Sequence, residues 1–342
     1  MKIMIINDTD NDYHFGCSGT STAIKQELRK HGELLGSHTV MDSWNGPCCP
    51  GEDFTAADFD DAEFRTKWEQ ANECLIERLK EADLCVCNGE GTICGWQYRP
   101  GVRTLLYLIY YIKKTLHKKC YVINHSCFPV SSPYTDTNND ACEIYRKVYS
   151  TLDFCAVRDV YSLAILNKLG VHATLAFDCL PLYINKHFKE TITSTPKEYI
   201  LLSGGVMFRN DILRFIKEEL PKYRKQITQE VVFLMAKLPR EAEDDNQCIK
   251  EIEVFQSNPW NALRYGKISI YYAHTLDEWL TVIKNAKILI SGRFHHTVAA
   301  HTFGTPYVVF DSNTPKTTVL RDVLGHSNTQ EMSLRNFLPF SK

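Results

Sequence analysis

The sequence predicts an α/β fold with two Rossmann-like domains facing one another across a cleft. Three observations carry this. Short apolar runs of strand length recur along the chain, amphipathic stretches of helical length separate them, and a polar stretch at 186–197 interrupts the series. Strands alternating with helices indicate parallel sheets, because a parallel neighbour is reached only through a crossover long enough to hold a helix. The expected organisation is an N-terminal domain at 1–185, a linker at 186–197 and a C-terminal domain at 198–342. A chain of 342 residues, 44% hydrophobic and 23% charged, can bury two such cores.

Ile3 to Ile6 read as the first strand. The loop after it, N-D-T-D-N-D-Y-H-F-G-C-S-G-T-S, is polar, and its acidic residues, Asp8 and Asp10 among them, suit either a cation or plain solvation. It lacks G-x-G-x-x-G, so no dinucleotide fingerprint is present. A helix follows at about 20–30, with Ile24 and Leu28 on one face. Residues 43–62, with Pro47, Pro50, Gly51 and an acidic run, read as an irregular, solvated segment. A helix at about 62–80 leads to the strand Asp83 to Cys87 and then to N-G-E-G-T at 88–92. There the glycines permit close backbone approach, and Asn88 and Glu90 stand at a strand end. A helix at about 101–116 precedes the strand Cys120 to Asn124, which opens into H-S-C-F-P, headed by His125. After a helix at about 140–150, the strand Asp153 to Val157 is closed by Arg158, and Asp159 is a natural N-cap for the helix that Gly170 ends. Arg158 is either a ligand cation or the partner of Asp159 or Asp178. The strand Ala173 to Phe177 completes this half.

The second half begins with the strand Tyr199 to Leu202 and the turn Ser203-Gly204-Gly205. A helix at about 210–223, the strand Glu230 to Met235, a helix at about 245–256, the strand Ile268 to Tyr272 and a helix at about 276–285 follow. The segment at 287–311, K-I-L-I-S-G-R-F-H-H-T-V-A-A-H-T-F-G-T-P-Y-V-V-F-D, reads as strand, helix, strand, with Gly304 and Pro306 stopping the helix. Residues just past a strand's C-terminal end line the ligand crevice of an open parallel sheet, so Ser291, Gly292, Arg293, Phe294, His295 and His296 would face a ligand. A helix N-terminus and a guanidinium favour phosphate or carboxylate, and imidazoles transfer protons near neutral pH. The constellation suits an anionic donor whose reaction needs a proton.

The formal net charge of -2 gives no electrostatic case for nucleic acid. The N-terminal apolar run is too short for a signal-peptide core and no run is long enough to span a bilayer, so a cytoplasmic location is expected. The 13 cysteines are odd in number and form no C-x-x-C pair, which favours reduced thiols. The pair Cys48-Cys49 has no zinc-site spacing, and no metal is expected.

With these residues assembled, the chain resembles the polysaccharide pyruvyl transferase family. The resemblance rests on N-G-E-G-T at 88–92, H-S-C-F-P at 125–129, V-R-D-V-Y-S at 157–162, Asp178, S-G-G at 203–205, and above all S-G-R-F-H-H at 291–296, where the family carries Arg-Leu-His. It departs in having Phe294 for the family's Leu, Glu90 where many relatives have Gly, and a more acidic first loop. The resemblance implies a GT-B-like architecture and transfer of a pyruvyl group from phosphoenolpyruvate to a sugar or lipid-linked oligosaccharide, with no other cofactor. His295, Arg293 and Glu90 would be catalytic. Donor binding would fall to Arg158, Arg293, Gly292, Ser291, His296, Gly204 and Gly205, and acceptor binding to Asp8, Asp10, Asn88 and His125. Peripheral association with a membrane bearing the acceptor is compatible with this. Two other readings use the same residues: a GT-B glycosyltransferase taking a nucleotide-activated sugar such as a CMP-linked one, and a non-catalytic carbohydrate- or phosphate-binding protein.

Overall fold

The structure, a computed structural model, describes residues 1–10, 14–39, 42, 48–95, 99–130, 136–196, 198–205, 212–218, 220–224, 230–236, 243–309, 320 and 329–340. The chain divides into two compact units. The first comprises Met1–Asp12, Thr20–Leu182 and His326–Lys342, and the second Tyr13–Gly19 and Tyr183–Gly325.

In the first unit the strands β1 (Lys2–Asp8), β2 (Glu33–Thr39), β3 (Leu84–Glu90), β4 (Lys119–His125), β5 (Phe154–Val157) and β6 (Thr174–Leu175) form one parallel sheet in the order β2-β1-β3-β4-β5-β6. Every residue of β3, and all of β1 after Lys2, is buried. Strands covered on both faces read as continuous apolar runs, which is why these two were visible in the sequence. The edge strand β2 was not expected: it is half-buried, and Gly36, Ser37 and His38 break its apolar run. The helices are α1 (Phe15–Arg29), whose first turn belongs to the second unit, α2 (Ala62–Ala71), α3 (Glu73–Glu81), α4 (Pro100–Lys114), α5 (Asp140–Tyr149), α6 (Val160–Lys168) and α7 (Leu180–Lys186), which passes into the second unit at Tyr183. The helix expected at 62–80 is thus two, separated at Asn72, whose φ of -120° leaves the helical region. Helix α4 begins with Pro at its first position and is buried from Gly101 to Ile112.

In the segment expected to be solvated, Glu52, Asp53, Asp60 and Asp61 are exposed as expected, while two aromatic rings join the core. Phe54 and Phe59 pack on Tyr107 at ring distances of 6.2 and 5.7 Å, and Asp61 caps α2 by accepting from Phe64 N. The C-terminal helix Thr329–Leu334 and the 3-10 turn Arg335–Phe340 also lie in this unit. Asn336 Oδ1 accepts from Asn124 N at 2.7 Å, its amide donates to Phe177 O, and Phe337 is buried. A single cut in the chain therefore does not separate the units.

The second unit holds the parallel sheet β11-β10-β7-β8-β9, built from β7 (Tyr199–Ser203), β8 (Glu230–Leu234), β9 (Ile268–Tyr271), β10 (Ile288–Ser291) and β11 (Tyr307–Val309). Its helices are α8 (Ile212–Glu218), α9 (Leu220–Arg224), α10 (Glu243–Gln256), α11 (Pro259–Tyr265), α12 (Leu276–Lys284) and α13 (Phe294–Phe303). The stretch expected as a linker lies along α12: Thr191 N donates to Thr281 Oγ1 at 3.1 Å, and Glu190 pairs with Lys284 and accepts from Asn285. No helix among the described residues is long and apolar enough to cross a membrane.

Candidate active site

Topology marks one place in each sheet. In the first unit the chain leaves β1 for β2 and returns on the other side as β3, so the order reverses between β1 and β3. In the second unit it runs from β7 outward through β8 and β9, then returns beside β7 as β10. Ligands of open α/β sheets bind beyond the strand ends at such reversals.

At the reversal in the first unit stand Asn7 and Asp8 at the end of β1, Thr9 just after it, and Asn88 and Glu90 at the end of β3. Three non-glycine residues at the ends of adjacent strands have positive φ: Asn7 at 59°, Glu90 at 41° and Asn124 at 54°. Asparagine tolerates this region, but glutamate pays roughly 1 kcal/mol or more, strain that persists only where surrounding contacts over-determine it. Those contacts are present. Glu90 Oε1 accepts from Thr9 Oγ1 at 2.8 Å, Thr20 Oγ1 at 2.7 Å and Asn88 Nδ2 at 3.1 Å. Thr9 N donates to Ser21 Oγ, and Asn124 Nδ2 donates to Asn88 Oδ1 at 2.9 Å. The buried carboxylate is therefore held in one orientation.

Several residues expected at a ligand have protein partners instead. Lys25 Nζ lies 3.2 Å from Asp8 and 2.5 Å from Asp10, which gives both acids an internal counter-ion. Arg158 Nη1 donates to Asp178 at 2.6 Å and its Nε donates to Ser126 Oγ at 2.9 Å, with both members of the ion pair buried. The salt-bridge reading of Arg158 thus holds, and its charge is committed to Asp178.

His125 is fully buried. Its Nε2 lies 2.6 Å from Tyr149 Oη, and a Cβ at Gly89 would come within 2.7 Å of its ring. It is packed beneath the Glu90 turn and presents no face to an acceptor. Burial, reinforced by the Arg158 charge and opposed by a backbone hydrogen bond at Glu90, lowers its pKa to about 3. The unfolded imidazole titrates near ~6.5. Between these values the unfolded chain binds the extra proton, so stability from this group is complete above about pH 6.5 and falls as pH drops toward 3. We expect His125→Asn to flatten the fall of the urea midpoint between pH 7 and 5, by up to about 1.4 kcal/mol per pH unit. Parallel curves for variant and wild type would contradict this.

At the reversal in the second unit, Ser203 of β7 and Ser291 of β10 are register partners whose hydroxyls meet at 2.5 Å. Buried Gly204 and Gly205 follow β7, and Gly292 follows β10. Arg293 is the N-cap of α13 with no side-chain capping bond, its N–H donates to Ser291 Oγ at 2.9 Å, and it is buried. Thr297 Oγ1 donates back to Arg293 O, which fixes the first turn. Gly304 at φ 75° closes the helix. His295 is half-buried, with Nδ1 3.7 Å from Cys17 Sγ. His296 is a core residue: Trp279 Nε1 donates to its Nε2 at 3.2 Å, and burial, then the neighbouring Arg293 and His295, holds its pKa well below the ordinary value.

The structure thus collects Ser291, Gly292, Arg293, His295, Gly204 and Gly205 at one sheet reversal, and Asn88 and Glu90 at the other. It assigns Arg158, His125, His296, Asp8 and Asp10 to internal contacts. Sequence reading overlooked Thr9, Thr20, Ser21, Asn124, Asn336 and Cys17. All 13 cysteines are free, and burial raises the thiols of Cys85 and Cys155 to about 12.

The sequence profile of a family described as "Polysaccharide pyruvyl transferase" matches residues 21–314. The chain belongs to that family. As a polysaccharide pyruvyl transferase family member it is a transferase, and the matched residues include Glu90, Arg158, Arg293 and His295. No curated protein matches the chain. Among solved structures it is similar to the UDP-GlcNAc 2-epimerase from Neisseria meningitidis bound to UDP-GlcNAc, at 12% identity, TM-score 0.56, covering 99% of this chain and 93% of that one. It is likewise similar to the Methanocaldococcus jannaschii UDP-GlcNAc 2-epimerase in complex with UDP-GlcNAc and UDP, at 14% identity, TM-score 0.55, covering 100% of both chains. A third is sucrose-phosphate synthase from Thermosynechococcus elongatus, at 12% identity, TM-score 0.56, covering 99% of this chain and 94% of that one. At such identities the likeness is one of fold: this family member is α/β, with two Rossmann-like units of the GT-B class.

Proposed function

We propose that the protein transfers a pyruvyl group from phosphoenolpyruvate to a sugar of a cell-surface polysaccharide or its lipid-linked precursor, forming a ketal. The observation that carries this reading is the Arg293-Phe294-His295 junction at the N-terminus of α13, placed at the sheet reversal of a polysaccharide pyruvyl transferase family member.

The donor carries a phosphate and a carboxylate. In this reading the second unit takes it: the first N–H groups of α13 and the Arg293 guanidinium meet one anionic group, and the Ser203 and Ser291 hydroxyls hold the loop that presents them. His295 protonates C3. The C2=C3 electron pair enters the new C–H bond, leaving an oxocarbenium-like centre at C2. A sugar hydroxyl adds there and loses its proton to a base, phosphate departs with the C2–O electron pair, and a second hydroxyl closes the ketal. Glu90 of the first unit, held by three donors, is the base toward the acceptor. In this reading Arg158 stays paired with Asp178 and donor binding is left to Arg293. We place the reaction in the cytoplasm, which the free cysteines suit.

The test is stoichiometric. Incubated with phosphoenolpyruvate and a panel of sugar acceptors, the protein should release phosphate in step with a mass gain of one pyruvic acid less one water on a sugar. Transfer from a nucleotide-activated sugar in place of this would overturn the reading.

A further inference from the structure

We propose that Cys17 is the proton partner of His295: its thiol engages Nδ1, keeps the ring proton on Nε2, and replaces that proton as Nε2 gives it away. This rests on the pyruvyl-transfer reading above. Cys17 acts through His295, so it is a positioning residue.

The pair lies within the second unit, although 278 positions separate its members in the chain. Sγ is 3.7 Å from Nδ1, and Cys17 is only 4% exposed. Two observations independent of the thiol show that the first turn of α1 is built against this ring. A Cβ at Gly16 would come within 2.2 Å of His295 Cβ and 2.8 Å of Nδ1, so the backbone reaches the imidazole only because position 16 has no side chain. Phe15 N donates to Ala236 O at 3.0 Å, and the Phe15 ring lies 6.2 Å from Trp279, the residue that donates to His296. The turn is thereby pinned to the same unit that carries the histidine.

The hydrogen bond made by one ring nitrogen decides the state of the other. A neutral thiol donating to Nδ1 makes that nitrogen an acceptor, so a neutral ring carries its proton on Nε2. When Nε2 passes this proton to C3, the former N–H pair stays on Nε2 and the C2=C3 pair forms the C–H bond. The thiol proton moves to Nδ1, leaving a neutral imidazole and a thiolate that keeps the S–H pair. Two hydroxyl protons are released on ketal formation: the one taken by Glu90 leaves on the phosphate, and the one freed as the ring closes restores the thiol. Without Cys17 a neutral ring would end as an imidazolate, so the reaction would have to begin from imidazolium. Burial, then the charges of Arg293 and His295, lowers the pKa of the adjacent His296, so that ring stays neutral.

The test joins nitrogen-15 NMR of the histidine rings in the free protein with kinetics. We expect the wild type to hold the Nε2–H tautomer. Cys17→Ala should lose that preference, retain KM for phosphoenolpyruvate within about twofold, and lose at least about tenfold in kcat. Cys17→Ser, whose hydroxyl donates to Nδ1 but yields its proton less readily, should keep the tautomer and still lose turnover. An unchanged tautomer in Cys17→Ala, or undiminished kcat in Cys17→Ser, overturns the proposal, and the second holds even if the alanine variant fails to fold. Wild-type protein inert toward phosphoenolpyruvate would defeat the pyruvyl-transfer reading, while the NMR arm would still decide whether Cys17 sets the ring proton.

Discussion

His295→Ala is expected to lower kcat for phosphate release from phosphoenolpyruvate by about 10²–10⁴, the usual worth of a positioned general acid. The ring stands on the first turn of α13, and Thr297 ties that turn to Arg293 O, so truncation removes the proton donor without releasing the helix. Arg293→Ala should cost about tenfold to a hundredfold, expressed mainly in KM, because a charge-assisted contact contributes roughly 1.5–3 kcal/mol. The two should differ in kind: the histidine variant should still bind the donor, which a thermal shift with phosphoenolpyruvate would register, and the arginine variant should bind it weakly. Undiminished turnover in either would remove the site assignment.

Arg158→Met is expected to destabilise the first unit by about 3–5 kcal/mol, because it leaves the Asp178 carboxylate buried without its cation. Asp178 is tied into its surroundings twice more: Oδ1 accepts from Leu180 N at 2.9 Å, and its carbonyl accepts from Ser333 Oγ. It therefore cannot swing out to water at little cost. Adding Asp178→Asn in that background keeps an acceptor for Leu180 N while removing the orphaned charge, and should recover a substantial part of the loss. Urea unfolding of the two single variants and the double variant measures this as a coupling energy. If Arg158 were instead a donor ligand, Arg158→Met would raise KM for phosphoenolpyruvate and leave the unfolding midpoint unchanged.

The parts of the fold legible in the sequence were those that burial makes periodic. Strands β1 and β3 are covered on both faces and appear as apolar runs, and β10 was bounded by Ser291-Gly292 and the small residues of α13. The edge strand β2 carries Gly36, Ser37 and His38, and so has no such run. The return of residues 329–340 to the first unit depends on Asn336 meeting Asn124, a contact of one amide across 212 positions that no local pattern announces.

The site divided in the same way. Arg293 and His295 were chosen because strand ends in parallel sheets face ligands, and the structure places both just past the end of β10. The same rule also selected Arg158 and His125, which the structure shows with internal partners, since a strand end can equally hold the polar groups that brace it. What separates the two outcomes is a partner distant in sequence, Asp178 for the arginine and Tyr149 for the histidine. The hydroxyls on Glu90 were invisible for a related reason: Thr9 and Thr20 are common loop and helix residues, and only the fold brings them onto one carboxylate oxygen.

The most direct measurement of the central claim is the wild-type reaction run in deuterated water with phosphoenolpyruvate and a sugar acceptor. One phosphate should be released for each ketal formed, with one solvent deuterium in the ketal methyl group, and His295→Ala should form both products about 10²–10⁴ more slowly. Phosphate release with no gain on any sugar, or a ketal methyl without deuterium, would contradict the claim.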